Sequence, residues 1–139
     1  VYYHLVNRNS GLVIGVSNGS TSLGANLVQW SNNGGLDQEW SLVSTGNGYY
    51  NLVNRNSGLV MGVSSASTSA GAQLVQWSNN GSLDQQWSLV SAGNGYYNLV
   101  NRNSGLVMGV SSASTSAGAN IVQWSSNGSF DQQWSLAQV

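Results

Sequence analysis

Asp37, Glu39, Asp84 and Asp131 are the only carboxylate side chains in the 139 residues. Glycoside hydrolysis and other general acid–base chemistry use two such groups facing one another, about 5–9.5 Å apart for a glycosidase pair. Only Asp37 and Glu39 are close in sequence. On an extended strand they share a face, but Gln86 and Gln133 replace Glu39 at the corresponding places further on. No paired acid and base recurs, so no hydrolase activity is expected. With one histidine, His4, and no cysteine, the chain offers neither a metal-ligand set nor a disulfide framework. No cofactor or metal is expected. Three of the acids keep a fixed context. Asp37, Asp84 and Asp131 each precede a tryptophan by three positions, and that tryptophan follows another by ten: Trp30 and Trp40, Trp77 and Trp87, Trp124 and Trp134.

The elements that carry these residues repeat with the same spacing. Trp40, Trp87 and Trp134 stand 47 apart, as do Tyr2, Tyr49 and Tyr96, and Arg8, Arg55 and Arg102. The chain reads as one domain of three units, 1–48, 49–95 and 96–139, with no linker between them. From Tyr49 to Leu89, the second unit differs from the third only at Gln73/Asn120, Leu74/Ile121, Asn79/Ser126 and Leu83/Phe130. Size or polarity is kept at each. A net charge of −1 and a pI near 5.4 argue against a nucleic-acid partner, which needs a basic face. No apolar run approaches the ~20 residues that span a bilayer, so membrane insertion is not expected. The chain does not begin with a basic-then-apolar leader and reads as a mature or excised domain. Its cysteine-free surface, dominated by Asn, Ser, Gln and Thr, fits a secreted, extracellular setting.

Within the second unit the pattern is that of an all-β fold. YYNLVNR (49–55) alternates, NSG (56–58) is a turn, and LVMGVS (59–64) is a second strand. The polar SASTSAG (65–71) is a loop and AQLVQW (72–77) a third strand. SNNGS (78–82) contains an Asn-Gly turn that is expected to fold strand three against a fourth strand, DQQWSL (84–89), bringing Trp77 and Asp84 to one cleft, and SAGNG (91–95) links to the next unit. Twelve short strands result. None can bury its apolar face alone, but three units about a threefold axis can close a barrel and remove the open edges. A three-bladed propeller is the other arrangement, with a ring too small to pack well.

Gln38-Glu39-Trp40, Gln85-Gln86-Trp87 and Gln132-Gln133-Trp134 each read Q-x-W. With the upstream G-A-N/Q-hydrophobic-V-Q-W segment, they resemble the ricin B-type lectins, also classed as carbohydrate-binding module family 13. The resemblance covers the whole chain. It implies a β-trefoil with pseudo-threefold symmetry, a six-stranded barrel capped by three hairpins, carrying up to three sugar sites. It also implies that the Q-x-W tryptophans are core. Alternation agrees, since Trp40, Trp87 and Trp134 share a face with Leu42, Leu89 and Leu136.

In strand three Leu74 and Gln76 share one face, and Val75 and Trp77 the other. With Leu74 inward, Trp77 points out, and Trp30 and Trp124 follow the same parity. The resemblance makes this aromatic a platform for the apolar face of a sugar, whose C–H groups suit the negative face of the ring. The alternative is a gap filler between barrel and hairpin. One feature departs from the family: its usual second-strand aspartate is Gly15, Gly62 and Gly109 here. The family's later Asn-Gln pair reads Asp37-Gln38, Asp84-Gln85 and Asp131-Gln132, so the carboxylate is either relocated across the site, or is a salt-bridge partner of the arginines, or caps the turn, as Asp84 would after Asn80-Gly81. Asn33, Asn80 and Asn127 stand at the rim, to touch ligand or to serve the turn. Asn7, Asn54 and Asn101 are expected to hydrogen-bond turns, and His4, where Asn51 and Asn98 stand in the other units, to be a surface substitution.

The expected protein is a monomeric, non-catalytic carbohydrate-binding module or small lectin, with sites built from Trp30, Asn33, Asp37 and Gln38, from Trp77, Asn80, Asp84 and Gln85, and from Trp124, Asn127, Asp131 and Gln132. Galactose- or pentose-containing glycans are the expected ligands. The alternative is a symmetric scaffold or protein-interaction trefoil, natural or artificially symmetrised, without sugar activity.

Overall fold

A computed structural model describes residues 1–139. Twelve strands are present: β1 (Tyr3–Asn7), β2 (Val13–Val16), β3 (Leu27–Trp30), β4 (Trp40–Gly46), β5 (Tyr49–Asn54), β6 (Val60–Val63), β7 (Leu74–Trp77), β8 (Trp87–Gly93), β9 (Tyr96–Asn101), β10 (Val107–Val110), β11 (Ile121–Trp124) and β12 (Trp134–Gln138). The only helical segments are three-residue 3-10 turns, two in each unit.

All pairings are antiparallel. β1–β4, β4–β5, β5–β8, β8–β9, β9–β12 and β12–β1 form a closed ring of six strands. The remaining strands make three hairpins, β2–β3, β6–β7 and β10–β11, each continuing from the barrel through one bridge, as at Val53↔Val60. Single bridges Asn26↔Val75, Gln73↔Val122 and Val28↔Asn120 join the hairpins in a triangle. The fold is a β-trefoil with pseudo-threefold symmetry, as the repeat and the family resemblance led one to expect. Closure leaves no barrel strand with an open edge.

The core gathers the same positions from every unit. Leu5, Leu52 and Leu99, then Ile14, Met61 and Met108, then Leu27, Leu74 and Ile121 surround Trp40, Trp87 and Trp134, all fully buried. The Q-x-W indoles are therefore core. Each satisfies its single donor inside, Trp87 Nε1 donating to Met61 O at 3.2 Å, with Trp40 and Trp134 doing likewise to Ile14 O and Met108 O at 3.0 Å.

Four local expectations need correction. The fourth strand of the second unit begins at Trp87 and runs to Gly93, and Leu83–Gln85 is a 3-10 turn, so Asp84 lies before the strand. The Asn-Gly turn does not fold strand three onto strand four. β7 pairs with β6, whereas β8 pairs with β5 and β9. The link from unit two to unit three is shorter than 91–95: β8 runs through Gly93, and Asn94 and Gly95 close the β8–β9 hairpin with the left-handed residues such a turn needs. His4 is half-buried rather than a plain surface substitution. Asn51 and Asn98 donate to the carbonyls of Gln85 and Gln132 at 2.9 Å, but the His4 imidazole makes no such bond, and its Nε2 is buried without a partner.

Asn7, Asn54 and Asn101 hold turns as expected. Asn54 Oδ1 accepts from the amides of Asn56 and Ser57, and its Nδ2 donates to Asp37 O in the preceding unit. One difference between units two and three has structural weight. Gln73 Nε2 donates to the carbonyls of Leu27, Leu74 and Ile121, one from each unit, so a single amide ties the three hairpins together.

Candidate functional site

Three clefts of 410, 410 and 400 Å³ indent the surface, one per unit. The second unit shows how each is built. One wall is the outward face of the β6–β7 hairpin, with Val75 and Trp77. Register places Trp77 opposite Val60 and Val75 opposite Gly62. The parity read from strand three holds: Leu74 is fully buried and Trp77 is 43% exposed, as Trp30 and Trp124 are at 46% and 47%. The opposite wall is the 3-10 turn with Asp84 and Gln85, reached through the loop of Asn80 and Ser82.

The preceding unit supports the tryptophan. Gly24 backs Trp77, Gly71 backs Trp124 and Gly118 backs Trp30, and a Cβ there would lie 3.3–3.4 Å from the indole Cζ3. These glycines have φ between +80° and +90°, a region that side chains disfavour, so both backbone and contact ask for glycine. The indole edge is thereby packed while one face stays open.

The aspartate is fixed through one oxygen. Asp84 Oδ2 accepts from the Val63 amide at 3.1 Å, Asp37 from Val16 at 3.1 Å and Asp131 from Val110 at 3.3 Å. It lies against the glycine of the second strand. A Cβ on Gly62 would come 3.0 Å from Asp84 Oδ2, and one on Gly15 only 2.9 Å from Asp37 Oδ2. The acid therefore occupies volume that a side chain at Gly15 or Gly62 would enter, so a larger residue there would have to push it aside. In units two and three the other oxygen, Oδ1, accepts a short hydrogen bond from the hydroxyl of Ser82 or Ser129.

The salt-bridge role considered for these aspartates does not occur. Arg55 pairs with Glu39 at 2.7 Å, while Arg8 and Arg102 donate to the side-chain oxygens of Gln133 and Gln86 at 2.8 Å. Each guanidinium also stacks on an aromatic ring of another unit: Arg55 on Tyr2, Arg102 on Tyr49, and Arg8 on Tyr96 and Phe130. Sequence reasoning missed this arrangement. The signal was the position of Glu39, Gln86 and Gln133, where all three side chains offer an Oε1 to an arginine one unit away. Asp37 and Glu39 also fail to face each other, because the 3-10 turn ends between them. Asp37 lines a cleft and Glu39 binds Arg55, so each cleft has one carboxylate. No group of three His, Asp or Glu side chains is placed to hold a metal ion.

The remaining expected residues lie at the clefts, the glutamines with both side-chain polar atoms engaged and the asparagines with Oδ1 engaged and Nδ2 unbonded. Gln85 Oε1 accepts from the Asn80 amide at 3.1 Å and its Nε2 donates to Ser78 O at 2.8 Å; Gln38 and Gln132 repeat the pattern. Asn80 Oδ1 accepts from Ser82 N, as Asn33 does from Gly35 N and Asn127 from Ser129 N. These amides shape the loop that presents the acid. The indole is open to solvent, and the carboxylate lines the cleft beside it, half-buried at Asp37 and 6% exposed at Asp84 and Asp131, an arrangement suited to a ligand with one apolar face and hydroxyls at its edge.

Each lobe of the trefoil thus carries one cleft with an open indole and a single carboxylate. The model of the ricin-type beta-trefoil lectin domain-like family matches residues 1–77 and 83–139, and the chain belongs to that family. Among solved structures it is similar to a designed threefold-symmetric protein, ThreeFoil, at 51% identity over 99% of both chains with a TM-score of 0.98. It is also similar to part of an exo-β-1,3-galactanase from Clostridium thermocellum, at 41% identity and a TM-score of 0.97, covering 99% of this chain but 30% of that one. A ricin B-like lectin from Macrolepiota procera, solved in complex with lactose, shares the fold at 18% identity and a TM-score of 0.86, over 100% of this chain and 96% of the lectin. No curated protein matches the chain.

Proposed function

We propose that the chain is a non-catalytic carbohydrate-binding module or small lectin with three weak sugar sites: Trp30 with Asp37, Trp77 with Asp84, and Trp124 with Asp131. The observation that carries this reading is the pairing, in every cleft, of a half-exposed indole with a carboxylate that has no cationic partner. The ring takes the apolar face of a sugar, and the carboxylate accepts from its hydroxyls through charge-assisted bonds. Asn33, Asn80, Asn127, Gln38, Gln85 and Gln132 position the loop around the ligand. Galactose- or pentose-containing glycans of extracellular material are the ligands we favour, since two of the similar structures are named for a galactanase and for a lactose complex. The protein acts as a monomer outside the cell, needs no metal or cofactor, and gains affinity for repeated glycans by engaging several sites at once. A glycan array followed by calorimetry tests this: binding confined to galactosides or pentosides supports it, and no binding to any glycan overturns it.

A second reading has one observation in its favour. The 51% identity to a designed symmetric trefoil, together with near-identical second and third units, fits a symmetric scaffold without sugar activity. The same array separates the two.

A further inference from the structure

The three clefts are not equivalent, and the differences converge on one atom. In units two and three, Ser82 and Ser129 donate their hydroxyls to Oδ1 of Asp84 and Asp131. In unit one the serine is Gly35, and no hydrogen bond reaches Asp37 Oδ1 from the protein. Backbone dihedrals do not ask for that glycine, but a Cβ on Gly35 would come 2.8 Å from both Asp37 Oδ1 and Asn33 Oδ1, so the two side-chain oxygens occupy space that a serine would take and must shift to admit one. Gly35 has φ −67° and ψ 142°, and Ser82 has φ −67° and ψ 148°. The opposite rim changes as well. Asn18 and Gly19 stand where units two and three have Ser65-Ala66 and Ser112-Ala113, and a Cβ on Gly19 would come within 3.9 Å of Asp37 Oδ1. The alanine methyl and the serine hydroxyl are thus both missing around this oxygen. Asp84 and Asp131 are 6% exposed, whereas Asp37 is half-buried.

Resting on the lectin reading above, we infer that the Trp30 cleft is a distinct subsite in which Asp37 accepts two neighbouring sugar hydroxyls, one at each oxygen, while Asp84 and Asp131 accept only one. Each carboxylate oxygen has two lone pairs, and Oδ2 spends one on a backbone amide in all three units. At Asp37 the whole of Oδ1 is left for ligand. At Asp84 and Asp131 the serine hydroxyl takes one lone pair of Oδ1, and the burial of the carboxylate beside the serine and the Ala66 or Ala113 methyl closes the approach to the other. The extra charge-assisted contact makes the Trp30 cleft about tenfold tighter for a ring with a suitable vicinal diol. Gly35, Ser82 and Ser129 set the hydroxyl pattern that each site reads.

Three single-site proteins test this, each made by replacing two of Trp30, Trp77 and Trp124 with alanine. They are titrated calorimetrically with methyl β-galactoside and with its 2-, 3- and 4-deoxy analogues. The Trp30-only protein should bind about tenfold more tightly than the other two and lose affinity with two of the analogues; the others should lose it with one. Gly35→Ser in the Trp30-only protein should restore the one-hydroxyl pattern, and Ser82→Gly in the Trp77-only protein should create the two-hydroxyl pattern. Equal affinities and equal analogue profiles at three working sites would overturn the inference and leave the lectin reading intact. No binding at any site would remove both.

Discussion

Two tryptophans per unit have the same side chain and opposite duties, and substitution separates them. Trp87 is fully buried with its N–H bonded to Met61 O, so Trp87→Ala opens a large core cavity. The expected cost is about 3–5 kcal/mol, enough to take most of the stability of a small domain, and a urea melt should show it. Asp84 is the second residue to probe. Asp84→Asn keeps the shape but gives up the charge that favours the Val63 amide and a ligand hydroxyl. Its cleft should lose about tenfold in affinity, with a small fall in melting temperature and no change in the Arg55 stack, since Arg55 bonds to Glu39. A loss of stability with sugar binding untouched would leave the acid a purely structural part of the hairpin. Both tryptophan placements, Trp87 buried and Trp77 outward, were legible from strand parity, because a β-strand sends alternate residues to opposite faces. The partner of Asp84 was not. Its bond to the Val63 amide depends on a three-residue 3-10 turn, too short to leave a period in the sequence.

The hairpins and the loops that tie them belong to the next scale. Gln76, in the middle of β7, is fully buried. It accepts from the Ser57 hydroxyl and donates to the carbonyls of Ser20 and Ser22 in the preceding unit, and Gln29 and Gln123 repeat the staple. Gln76→Ala removes three bonds and leaves the Ser20 carbonyl without a donor, while Ser22 O keeps only the Ala25 amide at 3.3 Å. A destabilisation of about 2–3 kcal/mol is expected in chemical denaturation, with Trp77 fluorescence reporting a looser cleft. The sequence placed Gln76 on the inward face with Leu74 but gave no partner, because the atoms it reaches are more than 50 residues away. The same limit explains the misread fourth strand. Asn-Gly at 80–81 is a strong local turn signal, but here the chain leaves β7 through that loop, makes the 3-10 turn and joins a different pair of strands.

At the scale of the molecule, the 47-residue period was the most informative feature, because it demanded three equivalent lobes and thus a closed arrangement. Closure relies on the chain ends. β1 and β12 pair over five residues, from Tyr3↔Gln138 to Asn7↔Trp134. Removing residues 1–7 should open the barrel and abolish cooperative unfolding by circular dichroism and calorimetry, although no cleft residue is lost. Folding should be slow, in milliseconds to seconds or longer, because such long-range pairing pays loop-closure entropy before it is rewarded. Symmetry also sets the functional expectation of three clefts on one rigid body.

The number of occupied sites is therefore the most direct measurement. Isothermal titration of the intact protein with a glycan chosen from the array should give a stoichiometry of three. Single Trp30→Ala, Trp77→Ala and Trp124→Ala variants should each give two, and the triple variant should bind nothing while its thermal unfolding stays within a few degrees of the parent. Sugar binding that survives in the triple variant would contradict the assignment of these indoles as the platforms.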